Sequence, residues 1–195
     1  MARDDARRGD RLPRDPALQL AAAATIPLDD SFSRLAAWAL AGRVAMEVVS
    51  DGFGFYIGPA LERLDAGWIP IASGDTQFGG AKTQVAFPFG HPACDACGTC
   101  KRNRVLANQA SGRRVAFVGD GESDRYAAGY ADVVFAKDGL VDICADRGIA
   151  YRPWRSFDDV AAWLDEQLAA FAADPASLPA PVIQPFSCGP EARRR

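Results

Sequence analysis

The chain has 195 residues, 49% of them apolar, and a formal charge of -3. That is enough for one globular domain with a real core, and too little positive charge for a sequence-independent grip on nucleic acid. No apolar run approaches the ~20 residues that span a bilayer and no signal-type leader is legible, so the chain reads as cytoplasmic with no membrane partner.

Residues 1–16, rich in Arg, Asp and Pro, read as a disordered lead-in. From Leu18 to Leu40 apolar residues recur at helical spacing, broken at Pro27, with Asp29 or Asp30 placed to cap a second helix. Val44 to Val49 is a buried strand closed by a Ser50-Asp51-Gly52 turn, and a helix follows from about Phe53 to Leu64. Between Gly67 and Pro92 the texture changes to two short β-type runs separated by glycines, a hairpin expected outside the main sheet. Past a cysteine cluster come a helix over Arg102 to Ala110 and a strand over Arg114 to Val118 that feeds Gly119-Asp120-Gly121. A helix through Tyr126, a strand over Asp132 to Phe135, and helices over Gly139 to Arg147 and Phe157 to Phe171 follow. The tail, 173–195, carries five prolines and ends in three arginines, and reads as solvated or disordered. Strands alternating with helices imply an α/β, Rossmann-like fold with a parallel sheet and helices on both faces.

In such a sheet ligands collect where strands end and helices begin. Gly119-Asp120-Gly121-Glu122-Ser123-Asp124 sets one carboxylate at a strand end and a second four residues on, a spacing that suits Mg²⁺. The same residues also read as a Gly-rich turn with Asp124 near a helix N-terminus. Ser50 closes a strand ahead of a helix, where its hydroxyl and nearby N–H groups could hold a phosphate oxygen or simply cap. Lys101, at a helix start, could neutralise charge on a transferring phosphoryl group or be a solvated lysine.

Taken in order, Val48-Val49-Ser50-Asp51-Gly52-Phe53, Cys97-Gly98-Thr99-Cys100-Lys101-Arg102-Asn103 and the GDGxxD turn resemble motifs two, three and four of the haloacid dehalogenase superfamily. Together with Phe135-Ala136-Lys137-Asp138-Gly139-Leu140 they look like the phosphoserine phosphatase-like branch that includes the enol-phosphate phosphatases of methionine salvage. The resemblance runs from about Ile26 to Leu164. It implies a Mg²⁺-dependent phosphomonoesterase acting on a small phosphorylated metabolite. It also implies roles: Ser50, with Asp51 and Gly52, binding the phosphoryl group, Lys101 steadying it, and Asp120 with Asp124 holding Mg²⁺. Asp138 is either a neighbour of that site or the cap of the helix starting at Gly139. By the same resemblance 17–43 corresponds to the end of a helical cap segment, and 44–172 to the core with an insertion over 67–100.

The family's nucleophile sits in a DxDx[TV] motif at the end of its first strand, and no DxDx[TV] occurs in these 195 residues. The expectation is a chain that starts after motif one and does not turn substrate over. In the family that strand lies between those read here as Val44–Val49 and Arg114–Val118. Without it those two strands either close on each other or leave backbone groups unpaired, at about 1–3 kcal/mol each where buried. A non-catalytic phosphate binder is a second reading. A third starts from His91, Cys94, Cys97 and Cys100, potential soft ligands for a Zn²⁺ knuckle, although their successive two-residue gaps differ from the usual two separated pairs. Cys144 reads as a small core residue, Cys188 has no assignable role, and the four tryptophans read as packing.

Overall fold

The computed structural model describes residues 16–42, 44–79, 83–92 and 97–174. Nearly all of the lead-in, the tail beyond Asp174, and both Cys94 and Cys188 lie outside them. The chain divides into two compact units, the change falling between Cys100 and Lys101. Among the described residues no helix is long and apolar enough to cross a membrane.

The first unit runs α1 (Pro16–Ala24), α2 (Ser31–Ala41), β1 (Val48–Phe53), α3 (Gly54–Arg63), β2 (Ile71–Gln77) and β3 (Gln84–Ala86). The break expected at Pro27 is where α1 and α2 part, and the Asp29 carboxylate accepts the Ser31 N–H at 2.9 Å, covering a donor the helix leaves free. Its core is aliphatic: Ala36, Leu61, Leu64, Ala66 and Ile69 are buried together. The hairpin is not an excursion. β2 pairs with β1 in parallel, Val48 opposite Ile71 and Val49 opposite Ala72, and turns to β3 on its other side. The connection can be parallel because α3 supplies the crossover that a parallel pair needs.

The second unit runs α4 (Lys101–Ala110), β4 (Ala116–Gly119), a 3-10 turn (Glu122–Asp124), α5 (Arg125–Ala128), β5 (Val133–Ala136), α6 (Gly139–Arg147), β6 (Arg152–Pro153) and α7 (Phe157–Ala173). Strands β4, β5 and β6 form an all-parallel sheet in that order. β6 has only two residues and is not legible in the pattern, since Pro153 and charged neighbours give no apolar run. Val105, Val134, Leu140, Cys144 and Ile149 make the core on which α4 and α6 rest. The far end of α4 is tied down by Gln109, whose Nε2 donates to the Tyr130 carbonyl at 2.8 Å and to Asp132 at 3.1 Å. That tie fixes the helix whose first residue is Lys101.

The α/β class with parallel strands agrees with the sequence reading. The strands are shared between two three-stranded sheets. Among the described residues β1 bonds only to β2, and β4 only to β5, so each is an edge of its sheet.

Candidate functional site

The strand end in the first unit is built on a broken ladder. Val49 faces Ala72, yet Phe53 faces Gly74, so β1 takes four steps where β2 takes two. Three residues, Ser50, Asp51 and Gly52, stand against the single Ser73 and bulge out of the pairing instead of forming a turn after it; bulges re-aim side chains in this way. The Ser50 hydroxyl oxygen accepts the Gly52 N–H at 3.0 Å, holding the bulge from within. Asp51 accepts the Thr99 N–H at 2.8 Å, pinning the loop that leads to residue 100. Thr99 is 1% exposed and its hydroxyl has no hydrogen-bond partner among the described residues. The Tyr56 hydroxyl lies so close over Gly52 that any side chain there would strike it. Ser50, Asp51 and Gly52 are consecutive and share this bulge.

The second strand end is held by charge. β4 keeps its register to Gly119, and then the chain turns so that Asp124 folds back beneath it. Asp124 Oδ2 accepts the N–H groups of Asp120 and Gly121 at 3.0 and 3.2 Å, while Oδ1 takes the Lys101 ammonium at 2.6 Å. Lys101 also donates to the Ser123 hydroxyl at 2.9 Å. Both side chains are largely shielded, 11% and 6% exposed, so the pair acts in a weaker dielectric than a surface pair does. A Cβ at position 119 would lie 2.7 Å from Asp124 Oδ2, which is why the residue ahead of Asp120 has to be glycine.

These contacts separate the roles of the two carboxylates. Asp124 has both oxygens engaged within the protein, whereas Asp120 is exposed at the end of β4 and its carboxylate has no partner among the described residues. A hard divalent cation that keeps most of its shell as water and phosphate oxygen needs only one or two such carboxylates, so the free Asp120 fits Mg²⁺. Asp124 fits better as the group that sets Lys101 and the turn.

Two further groups brace the turn, and the sequence reading gave them no part in it. The Trp154 indole N–H donates to the Gly119 carbonyl at 3.3 Å, and the Lys137 ammonium stands over the Trp154 ring at 4.0 Å from its centroid. Trp154 follows a two-residue strand that periodicity cannot reveal; only its aromatic bulk hinted at a role. The Lys137 N–H reaches the Gly119 carbonyl at 3.3 Å and the Leu140 N–H reaches that of Asp120 at 3.0 Å, stapling this corner to the turn. Asp138 does not cap α6 with its side chain; it sits there with a left-handed φ of 48°.

Among the described residues the cysteine cluster gathers no metal site. Cys94 lies outside the described residues, and among those described no three His, Cys, Asp or Glu side chains come close enough to hold an ion. Cys97 and Cys100 are not in disulfides, and Cys100 is buried. The zinc reading for His91, Cys94, Cys97 and Cys100 has no support. Cys144 is fully buried in the second core, where burial pushes its thiol up and Arg147 offsets part of that, as befits an inert packing residue.

Comparison with known proteins found no matching family model. Curated proteins do match. The 2-hydroxy-3-keto-5-methylthiopentenyl-1-phosphate phosphatase of Exiguobacterium sibiricum is 31% identical over 134 residues, covering 66% of this chain and 59% of that protein. The Bacillus mycoides protein of the same name is 33% identical over 133 residues (64% and 58%), and one from Bacillus cereus is 31% identical over 144 (70% and 63%). The chain spans about three fifths of the length of these relatives. Over about two thirds of its length the chain is therefore similar to proteins of that name, and the order of its motifs and its parallel α/β architecture agree with that similarity.

Proposed function

We propose that this chain carries the phosphate- and Mg²⁺-holding part of a haloacid dehalogenase-type phosphomonoester phosphatase, and that the 195 residues alone bind a small phosphorylated metabolite without hydrolysing it. The observation that carries the reading is the turn after β4, where one shielded carboxylate positions an ammonium and leaves a neighbouring carboxylate free. Lys101 would lend positive charge to a phosphoryl oxygen, already oriented because Asp124 and Ser123 hold it in place. Ser50 would exchange its internal bond to Gly52 for one to phosphate, with the freed Gly52 N–H joining it. Asp120 would hold Mg²⁺, which when bound screens charge on the phosphoryl group. Asp51 would keep the Ser50 bulge tied to the Thr99 loop.

Turnover in this superfamily needs an attacking carboxylate from DxDx[TV], and none is present in the sequence. The substrate named for the relatives, 2-hydroxy-3-keto-5-methylthiopentenyl-1-phosphate, is one candidate ligand. The test pairs thermal unfolding with a colour assay on 4-nitrophenyl phosphate. Mg²⁺ with inorganic phosphate should raise the melting temperature, since a ligand at a hundred times its Kd adds about 2.7 kcal/mol, and no nitrophenol should be released. Release of nitrophenol that disappears in Asp120→Asn would overturn the claim of inactivity. No stabilisation at any phosphate concentration would overturn the binding reading.

A further inference from the structure

Five aromatic rings of the first unit pack on one another rather than on its core. Phe55 is at the centre: its ring meets Tyr56 and Phe78 edge to face, each with centroids 5.1 Å apart. On its other side it stacks on Phe53 at 6.3 Å, and Phe53 in turn lies 6.1 Å from Phe87. These rings come from four places: the end of β1, the first turn of α3, the residue after β2 and the residue after β3. Each of the five is half-buried, while the core of this unit consists of aliphatic side chains and includes none of them. The backbone makes room for the group. A Cβ at Gly74 would fall 2.7 Å from the Phe53 ring, so the strand opposite the bulge is bare to admit it.

Large rings left partly in water forgo part of the free energy that burial would return, and a cluster of this size outside the core calls for an occupant. Its position names one. Phe53 directly follows the Ser50–Gly52 bulge, and the Tyr56 hydroxyl rests against Gly52 itself. A group bonded through oxygen to a phosphate held at Ser50 would therefore leave that phosphate alongside the rings.

We propose that Phe53, Phe55, Tyr56, Phe78 and Phe87 form the specificity wall for the organic part of the phosphate ester, and that they select an apolar, hydrocarbon-like chain over a charged or hydroxyl-rich one. The proposal rests on the phosphate reading above. An ammonium or hydroxyl pressed against these rings would shed water with little in return, whereas each methylene gains by leaving it.

The experiment uses the full chain with Mg²⁺ and a ligand series of inorganic phosphate, then methyl, propyl and pentyl phosphate, with phosphoserine as the polar counterpart. Affinities come from calorimetry or thermal shift. The expected result is a gain of roughly threefold per added methylene, with phosphoserine weaker than propyl phosphate, and a flattened series in Phe78→Ala, each variant being referred to its own inorganic phosphate value. Aromatic NMR of the unsubstituted protein supplies a reading independent of how the variant folds: pentyl phosphate should shift Phe and Tyr ring signals that inorganic phosphate leaves in place. If inorganic phosphate binds but the alkyl series is flat, or if the ring signals ignore pentyl phosphate, the wall is refuted while phosphate binding stands. If inorganic phosphate itself does not bind, the underlying reading fails first.

Discussion

The two strand ends that carry polar groups are stabilised by different physics. Within β1, a bulge is held by one hydroxyl and one carboxylate contact, among half-buried rings. After β4, an unbroken ladder ends in a turn that hangs on a single shielded carboxylate serving two N–H groups and an ammonium. The Ser50–Gly52 bond of the first arrangement can be given up to a ligand at little cost, since the ligand offers both groups a new partner. The second cannot, because the Lys101 ammonium and the Asp124 carboxylate that it would separate are both largely removed from water. The turn in the second unit thus keeps its charges preset, and the bulge in the first keeps its hydroxyl adaptable.

The sharpest way to break this contrast is to remove the shielded carboxylate. Asp124→Ala should cost about 3 kcal/mol or more in urea unfolding, since it strands both an ammonium and two backbone donors. Lys101→Met should cost distinctly less, about 1–2 kcal/mol, because the carboxylate keeps its N–H partners. Equal losses would mean that the ion pair alone matters. Next, Gly119→Ala should lose about 2 kcal/mol by pushing Asp124 off the turn. In the looser strand end, Ser50→Ala should lose only about 1 kcal/mol, measured the same way; a loss as large as that of Asp124→Ala would abolish the distinction.

Asp120→Asn should leave unfolding in metal-free buffer nearly unchanged, as this carboxylate is exposed and unpartnered among the described residues. It should, however, remove the stabilisation by Mg²⁺. Retained Mg²⁺ stabilisation would move the metal elsewhere. The smallest effect concerns α7, where the N–H groups of Arg155 and Ser156 hold the Asp159 carboxyl below its usual range. A depressed carboxylate contributes stability above its unfolded value, and that contribution fades as pH falls through the lower folded value. Asp159→Asn should therefore lower stability slightly at neutral pH and not at all at the acid end, where the contribution is already lost, the effect being small because the group is exposed.

Much of the second strand end was legible in advance because its information is local. GDGxxD carries its own geometry, with the glycine needed beside Asp124 and the two acids fixed by spacing. What was not legible is that Asp124 is spent on Lys101, 23 residues away, so that the two carboxylates have unequal work. The first strand, expected over Val44 to Val49, runs over Val48–Phe53, so its end differs in both position and shape. Ser50 to Gly52 read as a turn after a strand, since Ser-Asp-Gly is turn chemistry; the structure keeps them within β1, unpaired, because β2 offers too few residues to match. The hairpin was misplaced for a related reason. Pro70 and the glycines suggest an excursion, whereas the Pro70 carbonyl accepts the Val48 N–H at 3.0 Å and starts a parallel ladder.

The sequence by itself determined the α/β alternation, the order of the motifs and the identity of the polar residues at each strand end, since these follow from periodicity, turn chemistry and short-range spacing. Only the tertiary structure decided which carboxylate stays free, that a bulge presents Ser50, and that five aromatic residues scattered between positions 53 and 87 share one surface. Contacts between residues distant along the chain depend on how strands pair and helices cross over, and no local pattern encodes that pairing.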